Sequence, residues 1–258
     1  MRGMKKIMKY IIRDIVRSRF MMFYTISLFA ITTGIHYLNR DETKTYITTL
    51  NVILYLMPLI NIFYTSLHYY NSKEFIETIL TYPVKRSQIF LAEYFSLVLA
   101  LIVSYFAGVI LPLMIFSYSV FVFYFMVSGT LLISIFTSIS LLCAVIFDER
   151  IKGIGLLIGI WLFMSIVYDG LILIMYFIMS DFPLDKISVA LISLNPVDLT
   201  RLFILIKLDI AAMFGYSGAN FVKHFGQVWG VAVSVLIALV WAAVPAVIAR
   251  RKFLKKDF

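Results

Sequence analysis

The sequence is poor in charge, nearly devoid of cysteine and without a nucleotide-binding loop, and each shortage removes a class of protein. Charged residues are 14% of the 258, against about a quarter in soluble domains, while hydrophobic residues are 62%. That balance excludes an ordinary water-soluble enzyme. A single cysteine, Cys143, inside an apolar run excludes a disulfide framework, a CxxC redox pair and a cysteine-based zinc site. Its thiol reads as a small hydrophobe. No GxxxxGK[ST] occurs, so ATP hydrolysis is not expected of this chain. His36, His68 and His224 stand alone near the ends of apolar runs, and no metal site follows from them.

What fills the chain is apolar sequence. Six stretches, at about 20–38, 46–70, 91–117, 119–147, 154–180 and 226–249, each suffice for a spanning helix, which needs about 20 mostly apolar residues. The expected fold is all-α: one domain over residues 1–258, a polytopic membrane protein with six transmembrane helices and no room for a sizeable soluble domain. The net charge of +9 does not call for nucleic acid, because the basic residues are sorted by side. With the N-terminus cytoplasmic, 17 Lys and Arg fall in 1–19, 71–90, 148–153 and 250–258, against 6 in 39–45 and 181–225. Both termini are therefore predicted to be cytoplasmic.

Residues 4–19 space Lys5, Lys9, Arg13 and Arg17 four apart and turn Ile7, Ile11, Ile12 and Ile15 the other way. This predicts an amphipathic helix along the inner leaflet, not a cleaved signal. The alternative is a basic flank that merely orients the first span. In 71–90, Glu74 and Glu77 share one side of a short helix, Phe75, Ile76, Ile79 and Leu80 make an apolar patch, Pro83 stops it and Ser87 can cap the next span. An acid-bearing helix sits poorly on an anionic leaflet, so a partner's groove is expected to cover the patch. An ordinary turn between spans is the other reading.

This loop, from Glu77 through Leu80, Pro83 and Arg86 into Ser87-Gln88-Ile89, resembles the first cytoplasmic loop of the permease subunits of six-helix ABC exporters. Glu93 departs from that pattern, standing where such permeases often carry Lys or Arg. In the family the loop is the coupling helix that docks on the ATPase. The resemblance thus implies a coupling role for Glu74, Phe75, Glu77, Ile79, Leu80, Pro83 and Arg86. An N-terminal elbow helix and an extracytoplasmic helical insertion between helices five and six are also family features.

Within the fifth run, Tyr168-Asp169-Gly170 sets a carboxylate near mid-membrane. Asp169 is either a polar point on a translocation path or a protonated acid bonded to a neighbouring helix. Further on, Asn195-Pro196-Val197-Asp198 has the order of a helix start, with cap, N1 proline and N3 acid. Leu199, Leu202, Phe203 and Ile206 give that helix an apolar face, and Gly215 is expected to close it. Such a helix forms a lid or a partner platform in the outer interface, presenting Asn195, Pro196, Asp198 and Arg201.

Tyr168-Asp169, the run Asn195-Pro196-Val197-Asp198-Leu199-Thr200-Arg201-Leu202, and Gly215-Tyr216-Ser217-Gly218-Ala219 are together similar to the permeases of nitrous-oxide reductase maturation, the NosY type. That resemblance implies a permease homodimer in the bacterial inner membrane, a cytoplasmic ABC ATPase pair that binds the ATP, and a periplasmic partner protein. Its task is assembly of the copper–sulfur centre of the reductase, with no cofactor on this chain; sulfur, copper or neither is the cargo.

Other motifs carry less. Gly215-Tyr216-Ser217-Gly218 fits the GxSG of rhomboid proteases, but the last run holds no histidine to serve Ser217. Met175 and Met179 lie one turn apart and thioethers suit Cu(I), yet no MxM or MxxM cluster stands in an outer segment. Gly226, Gly230, Ser234, Ala238, Ala242 and Ala246 recur every four residues, a strip for packing within the subunit or for a dimer seam. Two rivals to the ABC reading stand: an ATP-independent secondary transporter or channel using Asp169, and a membrane anchor for an extracytoplasmic partner.

Overall fold

Short polar side chains open the helices where the apolar runs alone would leave their ends ragged. Ser18 accepts a hydrogen bond from Met21 N–H at 3.2 Å, and Asp41 accepts from Thr43 N–H at 2.8 Å, each satisfying an otherwise orphaned first-turn donor. The computed structural model describes residues 2–39, 41–117, 119–178, 185–208 and 215–256, and every regular element among them is a helix. In order these are α1 (Arg2–Arg17), α2 (Arg19–Leu38), α3 (Glu42–Asn71), α4 (Lys73–Leu80), α5 (Arg86–Tyr105), α6 (Leu111–Phe116), α7 (Phe121–Ile146), α8 (Arg150–Leu162), α9 (Tyr168–Ile178), α10 (Asp185–Leu194), α11 (Pro196–Lys207) and α12 (Gly215–Lys255). Wide π turns at Phe106–Ile110 and Phe163–Val167 join α5 to α6 and α8 to α9 without interrupting either rod.

Among the described residues, six helices are long and apolar enough to cross a membrane: Arg19–Leu38, Glu42–Asn71, Arg86–Phe116, Phe121–Ile146, Arg150–Ile178 and Trp229–Lys255. Several outrun the hydrophobic stretches that announced them. Helical hydrogen bonding does not stop where hydropathy does, so Arg86 to Phe90 and Arg150 to Gly153 begin their helices early. Ser87 consequently lies inside the first turn of α5 instead of capping it, and its hydroxyl accepts from Arg250 Nε at 3.1 Å. Gly215 likewise opens α12, while α11 has already ended at Lys207. α10 and α11 meet at Asn195 with a bend of 111° in their axes.

α7 forms the centre. Of its most apolar stretch 78% lies inside the chain, against 17% for Arg150–Ile178, so α7 is the core helix and the fifth rod a peripheral one. α3, α5, α11 and α12 surround it. Glycine permits close approach at several points; at one of them the Tyr105 ring packs on Gly129, where any Cβ would strike it, and its hydroxyl donates to Phe125 O at 2.8 Å. Gly230, Ser234, Ala238 and Ala242 of the small-residue strip are buried within the chain. Gly226 breaks α12 with φ +68°, a conformation L side chains avoid, and so divides its first turns from the apolar rod beyond.

The amphipathic α1 buries Ile11 and Ile15 and leaves Lys9, Arg13 and Arg17 exposed. It packs along α5, where Ser96 Oγ donates to Met8 O at 3.3 Å. The turns after α3 and α7 and the end of α12 share one end of the bundle, since Asp148 Oδ1 lies 3.4 Å from Lys73 Nζ and 2.8 Å from Lys256 Nζ.

Candidate functional site

Polar chemistry collects at two places along the bundle. The first is the end just described. α4 is only two turns long and tied by short turns to α3 and α5, so it is stable only by burying one side against the spans. Ile76 is buried, and Ile79, Leu80 and Val84 pack on the same core. The apolar patch expected to meet a partner is therefore divided. Its aliphatic members face inward, and the outward face carries Glu74, Phe75, Glu77 and Tyr82, with Pro83 exposed beyond.

The spans hold this knuckle from three sides. Arg86 Nη1 donates to Lys256 O at 2.9 Å, Lys256 Nζ donates to Val145 O at 2.7 Å, and Tyr70 Oη donates to Phe147 O at 2.9 Å. Asp148 sits between Lys73 and Lys256; the hydrogen bond and charge of Lys256, then those of Lys73, hold its carboxyl below the ordinary carboxylate range.

The second place lies some sixteen residues, about 24 Å, back along α3 from Asn71, at Tyr55. Asn195 starts it. Its Oδ1 accepts from Val197 N–H at 3.1 Å and caps α11, while Nδ2 donates to Asp198 Oδ2 at 2.9 Å and to Met164 O at 2.7 Å. Met164 lies within the π turn, where Tyr168 N–H reaches back to Phe163 O, and such turns recur at functional sites. One turn into α11, Arg201 Nη1 donates to Asp169 Oδ2 at 3.0 Å and lies 3.5 Å from Asp198 Oδ1, while Nη2 donates to Tyr55 Oη at 3.3 Å. Tyr168 Oη donates to Leu191 O at 2.7 Å, Trp161 Nε1 to Tyr55 O at 3.1 Å, and Trp241 Nε1 to Ser193 O at 3.1 Å.

Five residues singled out in the sequence, Tyr168, Asp169, Asn195, Asp198 and Arg201, thus belong to one assembly, with Pro196 buried at its helix start. It joins α3, α8, α9, α10, α11 and α12. Asp169, read as a lone acid, receives a guanidinium. It also sits in the half of its rod away from Arg150, because the helix begins at Arg150 and not near 154. Two acidic side chains converge on one cation whose side chain is 12% exposed, with burial and the neighbouring Asp169 charge holding the Asp198 carboxyl well above the ordinary carboxylate range, an arrangement that fixes α11 against α9.

One pair escaped the sequence reading. His68 Nε2 lies 3.1 Å from Glu93 Oε1, an ion-pair approach between α3 and α5, with Glu93 almost wholly buried. The available signal was depth: His68 falls near the end of one apolar run and Glu93 near the start of the next, on either side of the same turn. Met179 and the side chains of Tyr216, Ser217 and His224 lie outside the described residues. No family model matches this chain, and no curated protein does either.

Proposed function

We propose that this chain is the membrane permease subunit of an ABC transporter, working in the bacterial inner membrane as a homodimer with a cytoplasmic ATPase pair and a periplasmic partner. In this reading α1 is the elbow on the inner leaflet, both termini are cytoplasmic, and α10 and α11 form an extracytoplasmic insertion. The supply of the copper–sulfur centre of nitrous-oxide reductase is the task carried over from the NosY resemblance.

The observation that carries the reading is the α4 knuckle. A helix too short to stand alone offers an acidic and aromatic outer face, Glu74, Phe75, Glu77 and Tyr82, while Ile76, Ile79 and Leu80 brace it on the spans. Force on that face is passed to α3, α5, α7 and α12 together through Asp148, Lys73, Lys256 and Arg86. ATP hydrolysis on a separate subunit needs such an input. An ion-coupled carrier would need Asp169 for its ion, whereas Arg201 already occupies that carboxylate.

The test is purification of the tagged full chain from its own membranes, with bound proteins identified by mass spectrometry. An ATPase bearing a Walker A loop is expected with the wild type and lost with Glu77→Lys, a change at an exposed position that leaves the permease folded. Retention of the same ATPase by Glu77→Lys, or transport that follows the proton gradient in the absence of any ATPase, sinks the reading.

A further inference from the structure

A cavity of about 530 Å³ opens where α1, the end of α3 and the start of α4 meet. Tyr10, Ile11 and Asp14 of α1 form one wall, His68 and Ser72 another, and Phe75 the rim towards the outer face of α4. We infer that this cavity receives an arginine side chain of the cytoplasmic partner. The inference rests on the reading of α4 as a docking knuckle and adds to it a second, chemically distinct contact.

The chemistry of the wall selects the ligand. This end of the molecule is rich in lysine and arginine, yet among the described residues none of them lines the cavity. The wall instead carries the Asp14 carboxylate, and behind His68 stands that of Glu93, 3.1 Å from the imidazole and sealed from solvent. Beside the acid stand the rings of Tyr10, His68 and Phe75, with Ile11, Asn71 and Ser72 completing the lining. Phe75 is 49% exposed and Tyr10 72%, large apolar surfaces with nothing of this chain laid over them.

Carboxylate together with ring faces is the environment that binds a cation, and a planar guanidinium uses both, stacking on a ring while donating to the carboxylate. The volume lies within the range of small-ligand pockets, far more than a bare metal ion fills and enough for the length of an arginine side chain. Glu74 and Glu77 extend the negative field outward from the rim, on the face that an approaching partner meets first. A lipid amine headgroup shares the ammonium chemistry but not the planar fork.

The experiment uses the full chain in nanodiscs of phosphatidylcholine and phosphatidylglycerol, titrated with N-acetyl-argininamide and followed by saturation-transfer NMR. Saturable binding is expected, weakened at least tenfold by Asp14→Asn and by Phe75→Ala, and absent for the neutral isostere N-acetyl-citrullinamide. Equal binding of the citrulline compound, or an Asp14→Asn variant that binds as well as the wild type, overturns the inference. So does displacement of argininamide when phosphatidylethanolamine replaces phosphatidylcholine, which gives the site to a lipid amine. Asp14→Asn should also lower ATPase retention. If Glu77→Lys releases the ATPase but the cavity binds no argininamide, the docking reading stands and the arginine site fails; if argininamide binds and Glu77→Lys keeps the ATPase, the reverse holds for docking and the partner's arginine is overturned with it.

Discussion

At the end that carries α4, the Asp148 side chain is 67% exposed and Lys73 36%, with Lys256 at 12% the covered member of the cluster. At the other assembly Arg201 is 12% exposed and Asp198 1%. The same kind of ion pair has opposite physics in the two settings. An exposed pair contributes roughly 0–1 kcal/mol and can be remade with a partner's charges at little cost. A buried pair adds little net stability, yet removing one member strands its partners at about 3–5 kcal/mol. The α4 end is thus a surface that rearranges, and the Arg201 assembly is a joint that holds or fails as a unit.

The sharpest way to break that contrast is at Arg201. Arg201→Met strands Asp169 and Asp198 and is expected to cost about 3–5 kcal/mol in thermal unfolding of the full chain in detergent. Adding Asp169→Asn and Asp198→Asn should restore part of it. A loss below about 1 kcal/mol in the single variant would abolish the distinction between the two ends.

At the α4 end the stability resides in apolar contact, so Ile76→Ala is expected to cost about 2 kcal/mol, the low end for a buried isoleucine, because α4 is peripheral. If it costs nothing while charge variants there do, the contrast is reversed. Asn195→Ala removes the cap of α11 and should cost about 1–2 kcal/mol, with amide exchange rising first in α11.

The smallest effect is expected at Asp148. Asp148→Asn should change stability by less than about 1 kcal/mol, and added salt should erase even that. Because its native pKa is lowered, the pair's contribution is whole above the ordinary carboxylate value of about 3.9 and fades only as pH falls below that through the native value. Wild type and Asp148→Asn should therefore show parallel unfolding profiles from about pH 5 upward and converge in acid.

The six rods could be read from apolar length alone, because a bilayer demands length of any helix that crosses it. The polar residues Tyr168, Asp169, Asn195 and Arg201 were also visible, as exceptions to their surroundings. Their meeting was not. Arg201 finds Asp169 only because α10 and α11 fold over by 111°, a tertiary angle no periodicity encodes. An arginine three residues after an acid, opposite an intramembrane acid, was the available hint of charge balance. The packing of Ile79 and Leu80 on the core was not legible for another reason: amphipathicity says that a face must be covered, not whether the cover belongs to the same chain.

The order of synthesis gives the central position of α7 a further meaning. A ribosome completes α7 long before α12 exists, yet α12 is one of the two helices laid most extensively along it. Until α12 is in place, the most deeply enclosed helix of the chain therefore lacks one of its two most extensive covers. α12 is a keystone: it enters after α7 along the chain, and it carries Lys256, which reaches back to Val145 and Asp148.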